Sequence, residues 1–250
     1  MITMADSKIT HDFTYFGDIL GVSSYYSVSS NEGINKLETF YSIVDEVLKP
    51  ILGRNKKVNI FIFSDSIFIS GRHIEEALTY LGSLYCHLIC NNILLRGAMV
   101  GGKLDFDPRI RLEDLRKRIP KGDALFRAVE LEKKVKGVRL LIEKPLAQSI
   151  LPEEWYTDAG YFNTIRQYDY GTYDIRRKIK LSTEWNTYEY IWPLIERAYT
   201  PERMKYSKPS YFLYEELKFL QDYAPPNAKS HYSETKKFIK KWKPLIDTGW

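Results

Sequence analysis

Cysteine is nearly absent from this sequence, which has only Cys86 and Cys90 among its 250 residues. The two lie four residues apart in an apolar stretch, so a helix would place them on one side, where they cannot supply the four ligands of a closed zinc site. A disulfide framework would need more cysteines. We interpret both as buried thiols in a reducing compartment, which predicts a cytoplasmic protein.

Long hydrophobic runs are missing as well. The longest, residues 60–63 and 67–69, are far shorter than the ~20 residues that a membrane-spanning helix needs. Residues 1–10 lack the apolar centre of a signal peptide. We therefore expect neither export nor a membrane partner. The sequence also lacks the phosphate-binding loop of P-loop hydrolases and the Gly-x-Ser-x-Gly turn of α/β-hydrolases.

Positive charge is only mildly in excess. The net charge of +5 is compatible with anionic ligands, but it does not distinguish a nucleoside triphosphate from nucleic acid or a membrane surface. The basic run at residues 236–243 also contains Phe238 and Trp242, and we interpret it as a surface helix whose aromatic residues pack inwards. No nucleic-acid partner is expected.

Regular strand-like and helical segments follow one another up to about residue 144. β-Favouring runs and apolar spacings of three and four residues predict the order β-α-β-β-α-β-α-β. The predicted strands cover residues 12–19, 58–63, 67–69, 93–100 and 138–142, and the predicted helices cover residues 31–52, 73–91 and 123–135. This order is typical of an α+β domain with a mainly antiparallel sheet covered by helices.

The rest of the chain has a different composition. Residues 145–250 are rich in tyrosine and contain no second complete αβ unit. Helices are predicted around residues 185–198, 211–223 and 233–242. We therefore divide the chain into a core, residues 1–144, and an extension, residues 145–250, that packs on the core or on a partner subunit.

Two carboxylates occupy the ends of predicted strands. Asp18 closes the first strand, and Asp65 lies at the tip of the hairpin between the second and third. Either residue alone is an ordinary turn aspartate. Together, on neighbouring strand ends, they would repel each other unless a cation lay between them. Mg²⁺ and Mn²⁺ bind carboxylate oxygens and bridge to phosphates, so the pair favours a two-metal site for an in-line displacement.

These residues resemble the class III nucleotide cyclase catalytic domain. The family's first metal aspartate opens an Asp-Ile-x-Gly motif, as in residues 18–21, and its second lies in a β-hairpin, as Asp65 does. Residues 95–101 resemble the strand that follows the family's second helix, and residues 122–132 resemble its next helix. The resemblance covers roughly residues 12–143 in the family's order, and it implies a ferredoxin-like core.

The resemblance also implies a mechanism. Asp18, Asp65 and the carbonyl of Ile19 would hold two divalent metal ions, Mn²⁺ or Mg²⁺, and the ribose 3′-hydroxyl would attack the α-phosphate with release of pyrophosphate. Backbone amides after the first strand would bind the triphosphate: those of Leu20, Gly21, Val22 and Ser23. A homodimer with its active sites at the interface is implied as well.

The sequence departs from the family at the positions that select the base. Purine-using members select their base with a Lys and an Asp, which correspond here to Phe61 and Ile119. Neither side chain can form the required hydrogen bonds. A site without those groups binds another base or does not discriminate.

The family's transition-state Asn and Arg are also replaced, by Phe126 and Glu130. If the charge is supplied from elsewhere, Arg96 and Arg127 are the nearest candidates for the catalytic role. The strand around Arg96 and the Arg127-Ala128 step resemble the pyrimidine nucleotide cyclases of Pycsar antiphage defence, which make cyclic UMP or cyclic CMP.

The leading hypothesis is therefore a pyrimidine nucleotide cyclase. Phe61 would fill the space that a smaller base leaves, and Arg96 would donate to a uracil oxygen, which favours UTP over CTP. A separate effector protein would read the cyclic product. The alternatives are a purine cyclase with a rearranged base pocket and a catalytically silent nucleotide-binding protein with the cyclase fold.

Overall fold

The computed structural model describes residues 11–54, 58–106, 120–151, 179–182, 186–192 and 229–247, together with scattered positions between 214 and 228. The helices are α1 Val22–Val28, α2 Ser30–Arg54, α3 Ile74–Cys90, α4 Asp123–Lys133, α5 Lys144–Ile150 and α6 Lys229–Asp247. The strands are β1 Phe13–Ile19, β2 Asn59–Phe63, β3 Ser66–Gly71, β4 Leu95–Gly101, β5 Asp105–Phe106, β6 Pro120–Lys121, β7 Leu140–Ile142, β8 Ile179–Ser182 and β9 Thr187–Tyr190.

Seven of these strands form one sheet in the order β2-β3-β1-β4-β7-β9-β8. Neighbouring strands are antiparallel except β4 and β7, which are parallel. The segment from β1 to β4 has the ferredoxin-like strand order, in which β1 lies between β3 and β4. β5 and β6 form a separate two-stranded ladder. The predicted α+β class with a mainly antiparallel sheet is confirmed.

β1 is the central strand of the ferredoxin-like part, and its sequence suits that position. Its aromatic and β-branched residues favour a strand that is covered on both faces. Side chains alternate between the faces, so Tyr15 and Ile19 lie on one and Phe16 and Asp18 on the other. Asp18 is the one residue of β1 that is not fully buried.

Different helices cover the two faces of the sheet. The larger core lies on the side of Tyr15 and includes the apolar stripes of α2 and α3. The smaller core lies on the side of Phe16, where Ala124 and Ala128 of α4 pack against β1, β4 and β7. Because α4 lies on this face, it is the helix that faces Asp18.

The helix predicted at residues 185–198 is wrong where the structure describes it, because Thr187–Tyr190 is the strand β9. Its Thr-Tyr-Glu-Tyr sequence has a high strand propensity, and all four residues are buried. Pairing with β7 and β8 satisfies the backbone on both sides. Residues beyond 144 thus extend the main sheet.

α6 confirms the predicted helix at residues 233–242 and begins four residues before it. Its Phe238 stacks on Trp192 with ring centroids 6.0 Å apart, inside the larger core. The described positions between 214 and 222 are helical, and the rest of the helix predicted at 211–223 lies outside the described residues. Within the described part of the chain, every helix is too short or too polar to cross a bilayer.

Candidate active site

Asp18 lies at the end of β1, between its two neighbouring strands. Ser66 is its partner on β3 and Arg96 its partner on β4, so the three side chains project from the same face. Ser66 Oγ donates a hydrogen bond to Asp18 Oδ1 at 3.0 Å, and Arg96 Nη2 lies 3.8 Å from Asp18 Oδ2. Both oxygens of the carboxylate therefore have a partner, and its orientation is defined.

Asp65 is brought to Asp18 by the turn between β2 and β3. The backbone N–H of Ile19 donates to the Asp65 carbonyl at 3.0 Å, which ties the turn to the end of β1. Tyr41 Oη donates to the carbonyl of Ser64 at 2.9 Å, and Ser64 adopts a left-handed conformation with φ 54°. The hairpin tip is thus held from both α2 and β1.

The two aspartates influence each other electrostatically. Burial raises the pKa of Asp18, and the negative charge of Asp65 raises it further. The hydrogen bond from Ser66 and the charge of Arg96 oppose this rise in pKa. A cation placed between the carboxylates would remove their repulsion, so the site is suited to bind positive charge.

Arg96 has a second carboxylate partner, Glu132 of α4, with which it forms an ion pair. The Glu132 side chain is only 2% exposed, and burial raises its pKa to about 7 although Arg96 opposes the rise. Sequence reasoning did not single out Glu132. The signal was a charged residue four positions after the buried Ala128 in the apolar stripe of α4.

The segment after β1 carries the amides that were predicted to bind the triphosphate. The N–H of Leu20 donates to the carbonyl of Leu94 at 2.8 Å, so the prediction is wrong for this amide. Gly21 precedes α1 with φ 83°, a left-handed conformation that favours glycine, and a Cβ there would meet open space. Gly21, Val22 and Ser23 remain predicted phosphate-binding residues.

Arg127 is not brought to Asp18 within this chain. It lies beside Gly101, at the other end of β4 from Arg96, which is a separation of five residues or roughly 16 Å. Its Nη2 donates to the Gly101 carbonyl at 2.7 Å, and its guanidinium also pairs with Glu143. A catalytic role for Arg127 stays a prediction that requires a second copy of the chain.

Two clefts lie around Arg127. One of about 370 Å³ is lined by Arg127, Glu143 and residues of α5, and one of about 310 Å³ lies on the other side of Arg127 beside Phe126 and Glu130. Phe126 is 67% exposed and Glu130 is exposed too. Both residues that the sequence resemblance aligns with the transition-state Asn and Arg therefore face solvent.

Phe61 lies on the same face of the sheet as Asp18. It pairs with Phe68 of β3, whose ring lies 5.2 Å from that of Phe16. Phe61, which the sequence resemblance aligns with the base-selecting lysine of purine cyclases, is thus part of an aromatic row with Phe68 and Phe16. Ile119, the second such position, lies outside the described residues.

α6 reaches the same end of the sheet. His231 Nδ1 accepts a hydrogen bond from the N–H of Gly137 at 3.2 Å, just before β7. Burial lowers the pKa of His231, and the positive charges of Arg96 and Lys136 lower it further. His231 therefore lies in the electrostatic field of the site, although no motif around it in the sequence pointed there.

The donor atoms at this site are suited to Mg²⁺ or Mn²⁺. Carboxylate and carbonyl oxygens of Asp18, Asp65 and Ile19 are hard ligands, and the mutual repulsion of the two carboxylates fits the binding of cations. Among the described residues, no group of three or more His, Cys, Asp or Glu side chains could hold a metal ion. The remaining ligands would have to be phosphate and water oxygens, which these ions accept.

No family model matches the sequence, and no curated protein matches it significantly. Among solved structures, it is similar to the guanylyl cyclase Cya2, with a TM-score of 0.48 and 13% identity over 57% of this chain and 80% of that chain. It is also similar to the guanylate cyclase domain of RhGC from Catenaria anguillulae, in complex with GTP, with a TM-score of 0.46 and 17% identity over 57% and 82% of the two chains.

A third similar structure is the adenylyl cyclase CyaB from P. aeruginosa, with a TM-score of 0.46 and 13% identity over 56% of this chain and 80% of that chain. At these identities and TM-scores, the similarities do not transfer the activity or the substrate of those enzymes to this chain.

Proposed function

We propose that this chain is a metal-dependent nucleotide cyclase that converts a pyrimidine nucleoside triphosphate, UTP in preference to CTP, to the 3′,5′-cyclic monophosphate and pyrophosphate. The observation that carries the proposal is the position of Asp18 at the end of β1, with Asp65 held beside it through the hydrogen bond from Ile19. A half-buried carboxylate pair without a cation is unfavourable. A phosphate-bearing substrate with divalent ions is the class of ligand that such a pair binds.

The residues of the site suit the cyclisation reaction. When bound, two divalent ions would neutralise the triphosphate and lower the pKa of the ribose 3′-hydroxyl. Asp18, Asp65 and the Ile19 carbonyl would hold them, and Ser66 would keep the Asp18 carboxylate in one orientation. The 3′-oxygen bonds to the α-phosphorus as the bond to the pyrophosphate oxygen breaks, and the hydroxyl proton passes to solvent.

Arg96 is the cation that this chain offers in place of the missing transition-state arginine. It lies next to Asp18, where a positive charge would stabilise the charge that develops on the α-phosphate. The guanidinium contacts two carboxylates, those of Asp18 and Glu132. These contacts support a charge-stabilising role more than the hydrogen bond to a uracil oxygen that the sequence suggests.

The pyrimidine preference is supported by the aromatic row that contains Phe61. An apolar wall cannot select a purine by hydrogen bonds, and it can pack against the face of a smaller base.

We further propose that the cyclic product is a second messenger in antiphage defence and that a separate effector protein reads it. Arg96→Ala tests the base-reading role, because unchanged kinetics on both UTP and CTP would contradict it.

We propose that the active form is a homodimer with its sites at the interface. Phe63 and Phe126 are 65% and 67% exposed, and large exposed apolar side chains are typical of surfaces that a partner covers. Light scattering during gel filtration should give twice the chain mass of 29.4 kDa. A monomer at the concentrations that support turnover would contradict this part of the proposal.

The decisive experiment is an assay of product identity. ATP, GTP, CTP and UTP are incubated separately with the purified protein and Mn²⁺, and cyclic products are identified by mass spectrometry. Asp65→Ala removes one of the paired carboxylates. Asp45→Ala is the matched control, because the Asp45 carboxylate is 69% exposed on α2 and pairs with the exposed Lys49.

We expect cyclic UMP, with less cyclic CMP, from the wild type and Asp45→Ala, and none from Asp65→Ala. Cyclic AMP or cyclic GMP as the main product would support the purine alternative. The absence of any cyclic product would contradict the proposal.

A catalytically silent nucleotide-binding protein is the second candidate. It is favoured by the exposed Phe126 and Glu130, which stand where the resembled family has its transition-state Asn and Arg. Calorimetry separates the two candidates, since a silent protein would bind a nucleotide without turning it over. Metal-dependent turnover of any nucleotide would exclude it.

A further inference from the structure

Arg96 is shared between two carboxylates that differ in depth. Its Nε pairs with Glu132 Oε1, and its Nη2 lies 3.8 Å from Asp18 Oδ2. The Glu132 side chain is almost fully buried, whereas the Asp18 side chain is 26% exposed. Glu132 is therefore the deeper partner, and Asp18 is the partner that solvent and ions can reach.

The burial of Glu132 strongly favours its ion pair with Arg96. The Glu132 side chain lies in the buried stripe of α4 that otherwise consists of Ala124, Ala128 and Leu131, and α4 packs on β1 and β4. A buried carboxylate without a counter-charge is costly, and removal of one partner from a buried pair is more damaging than replacement of both. The pairing with Glu132 thus sets where the guanidinium lies.

Arg96 and a divalent ion would compete for Asp18. Both are cations, and a guanidinium that moves fully onto the Asp18 carboxylate would occupy its oxygens and repel an ion beside it. In the structure, Arg96 Nη2 lies 3.8 Å from Asp18 Oδ2, beyond hydrogen-bond distance, while Arg96 Nε contacts Glu132 directly. Its charge remains in the site without blocking the carboxylate.

We propose that Glu132 is a positioning residue that holds Arg96 back from Asp18, so that the Asp18 carboxylate stays available to a divalent cation. The inference rests on the metal site of the proposed function. Without the negative charge of Glu132, Asp18 is the remaining carboxylate partner among the contacts of Arg96, and the guanidinium moves onto it. Glu132 then controls metal affinity through Arg96, without itself touching the ion.

The test is Mn²⁺ binding to the nucleotide-free protein, followed by electron paramagnetic resonance, which detects the free ion without any need for turnover. We expect Glu132→Gln to weaken Mn²⁺ binding by ~tenfold or more, because an opposite charge at this distance changes the cation affinity of a carboxylate by one or more logarithmic units. Adding Arg96→Gln to that variant should restore the affinity to at least the wild-type value.

The matched control is Glu189→Gln. Glu189 is also a buried glutamate paired with an arginine, Arg139, but it lies on β9, three strands from β1 or roughly 14 Å across the sheet. Glu189→Gln should lower the melting temperature and leave Mn²⁺ binding unchanged. If Glu132→Gln proves too unstable to measure, Arg96→Gln alone should bind Mn²⁺ at least as tightly as the wild type.

Equal Mn²⁺ affinity in the wild type and Glu132→Gln would overturn the inference, as would a loss of affinity that Arg96→Gln does not restore. Weaker binding by Arg96→Gln than by the wild type, or no binding by the wild type, would overturn it as well. Failure of the proposed function is distinct from these outcomes. In that case the affinities follow the predicted order, but no cyclic product forms from any nucleotide.

Discussion

The phenol of Tyr15 lies against the backbone of Gly97 on the neighbouring strand, and a Cβ on Gly97 would be 2.4 Å from the Tyr15 hydroxyl oxygen. That hydroxyl is 3.1 Å from the hydroxyl of Tyr85, which donates to the carbonyl of Arg139 at 3.2 Å. Tyr15 is therefore fixed from the core side, and β4 can pass beside it only without a side chain at position 97. Gly97 immediately follows Arg96, so this contact also determines how closely β4 packs on β1 beside the site.

Gly97→Ala should therefore destabilise the protein. Overpacking of a rigid core typically lowers the free energy of unfolding by ~1–3 kcal/mol. The same substitution at Gly82 of α3 is the control, because a Cβ there would be 3.4 Å from Tyr190, which is ordinary van der Waals contact. Alanine is favoured over glycine in a helix by ~1 kcal/mol, so Gly82→Ala should be neutral or stabilising. Urea unfolding of both variants checks the difference in sign, and an equal loss of stability in the two would contradict this explanation.

Arg127→Ala should reduce stability. Arg127 Nη2 donates to the Gly101 carbonyl at the end of β4, and the guanidinium also pairs with Glu143, which joins α4 to the segment before α5. Hydrogen bonds from a charged group contribute ~1.5–3 kcal/mol each, less where solvent reaches them. Thermal unfolding measures this loss.

Arg127→Lys serves as the companion variant for the catalytic role that the sequence predicts for Arg127. It keeps the charge but not the branched donor geometry. A loss of stability in Arg127→Ala with a turnover per folded molecule equal to that of the wild type would show a structural role. If turnover falls more than tenfold while the melting temperature of Arg127→Lys is unchanged, the catalytic prediction gains support.

Asp65→Asn should stabilise the metal-free protein, although it removes a group needed for the proposed activity. The charge of Asp65 raises the pKa of Asp18, so the two carboxylates repel each other when both are ionised. Functional sites commonly carry such unfavourable interactions. Without metal, the melting temperature of Asp65→Asn should exceed that of the wild type at pH 8. Added Mn²⁺ should raise the melting temperature of the wild type, because a ligand that binds the native state stabilises that state. It should not raise the melting temperature of the variant, which lacks one of the two carboxylates that would bind the ion.

The stability of the protein should depend on pH through Glu132. Burial, together with the negative charge of Asp18, raises the pKa of this carboxyl to about 7 against the opposing effect of Arg96 and Lys133. The native state therefore binds a proton that the unfolded state has already released between pH ~4.5 and ~7. The stabilisation from this proton is fully present below ~4.5 and is lost as the pH rises through about 7.

Glu132→Gln removes this titration. The melting temperature of the wild type, measured relative to that of Glu132→Gln, should fall between pH 5 and 7.5 and level off above that range. Glu189→Gln is again the control, since Glu189 is paired with Arg139 and lies away from the site. A difference between wild type and Glu132→Gln that does not change with pH would mean that Glu132 stays ionised throughout this range.

The amino-acid sequence is enough to predict the main elements up to β7, except α1 and the β5–β6 ladder, and the placement of Asp18 and Asp65 at neighbouring strand ends. Both depend on local information. Alternating and helical apolar spacings reflect burial on one face of an element, and an aspartate at a strand end or hairpin tip is visible without knowledge of distant contacts. The split β-α-β arrangement then allows few ways to place β1, β2 and β3, and it brings the two strand ends together.

Features that depend on contacts between distant segments can be read only from the folded chain. Arg96 and Arg127 had equal standing as candidate catalytic residues, yet Arg96 lies at the start of β4, whereas Arg127 of α4 contacts Gly101 at the other end of that strand. The partner of Arg96 is Glu132 of α4, a contact that only the packing of α4 on the sheet produces.

The secondary structure of residues 187–190 also depends on distant segments. Their Thr-Tyr-Glu-Tyr sequence has a high strand propensity, yet residues 185–198 were predicted to form a helix, and pairing with β7 and β8 makes residues 187–190 a strand. The β-propensity scale spans only ~1 kcal/mol between residue types, so the hydrogen bonds and burial that the sheet provides outweigh local preferences.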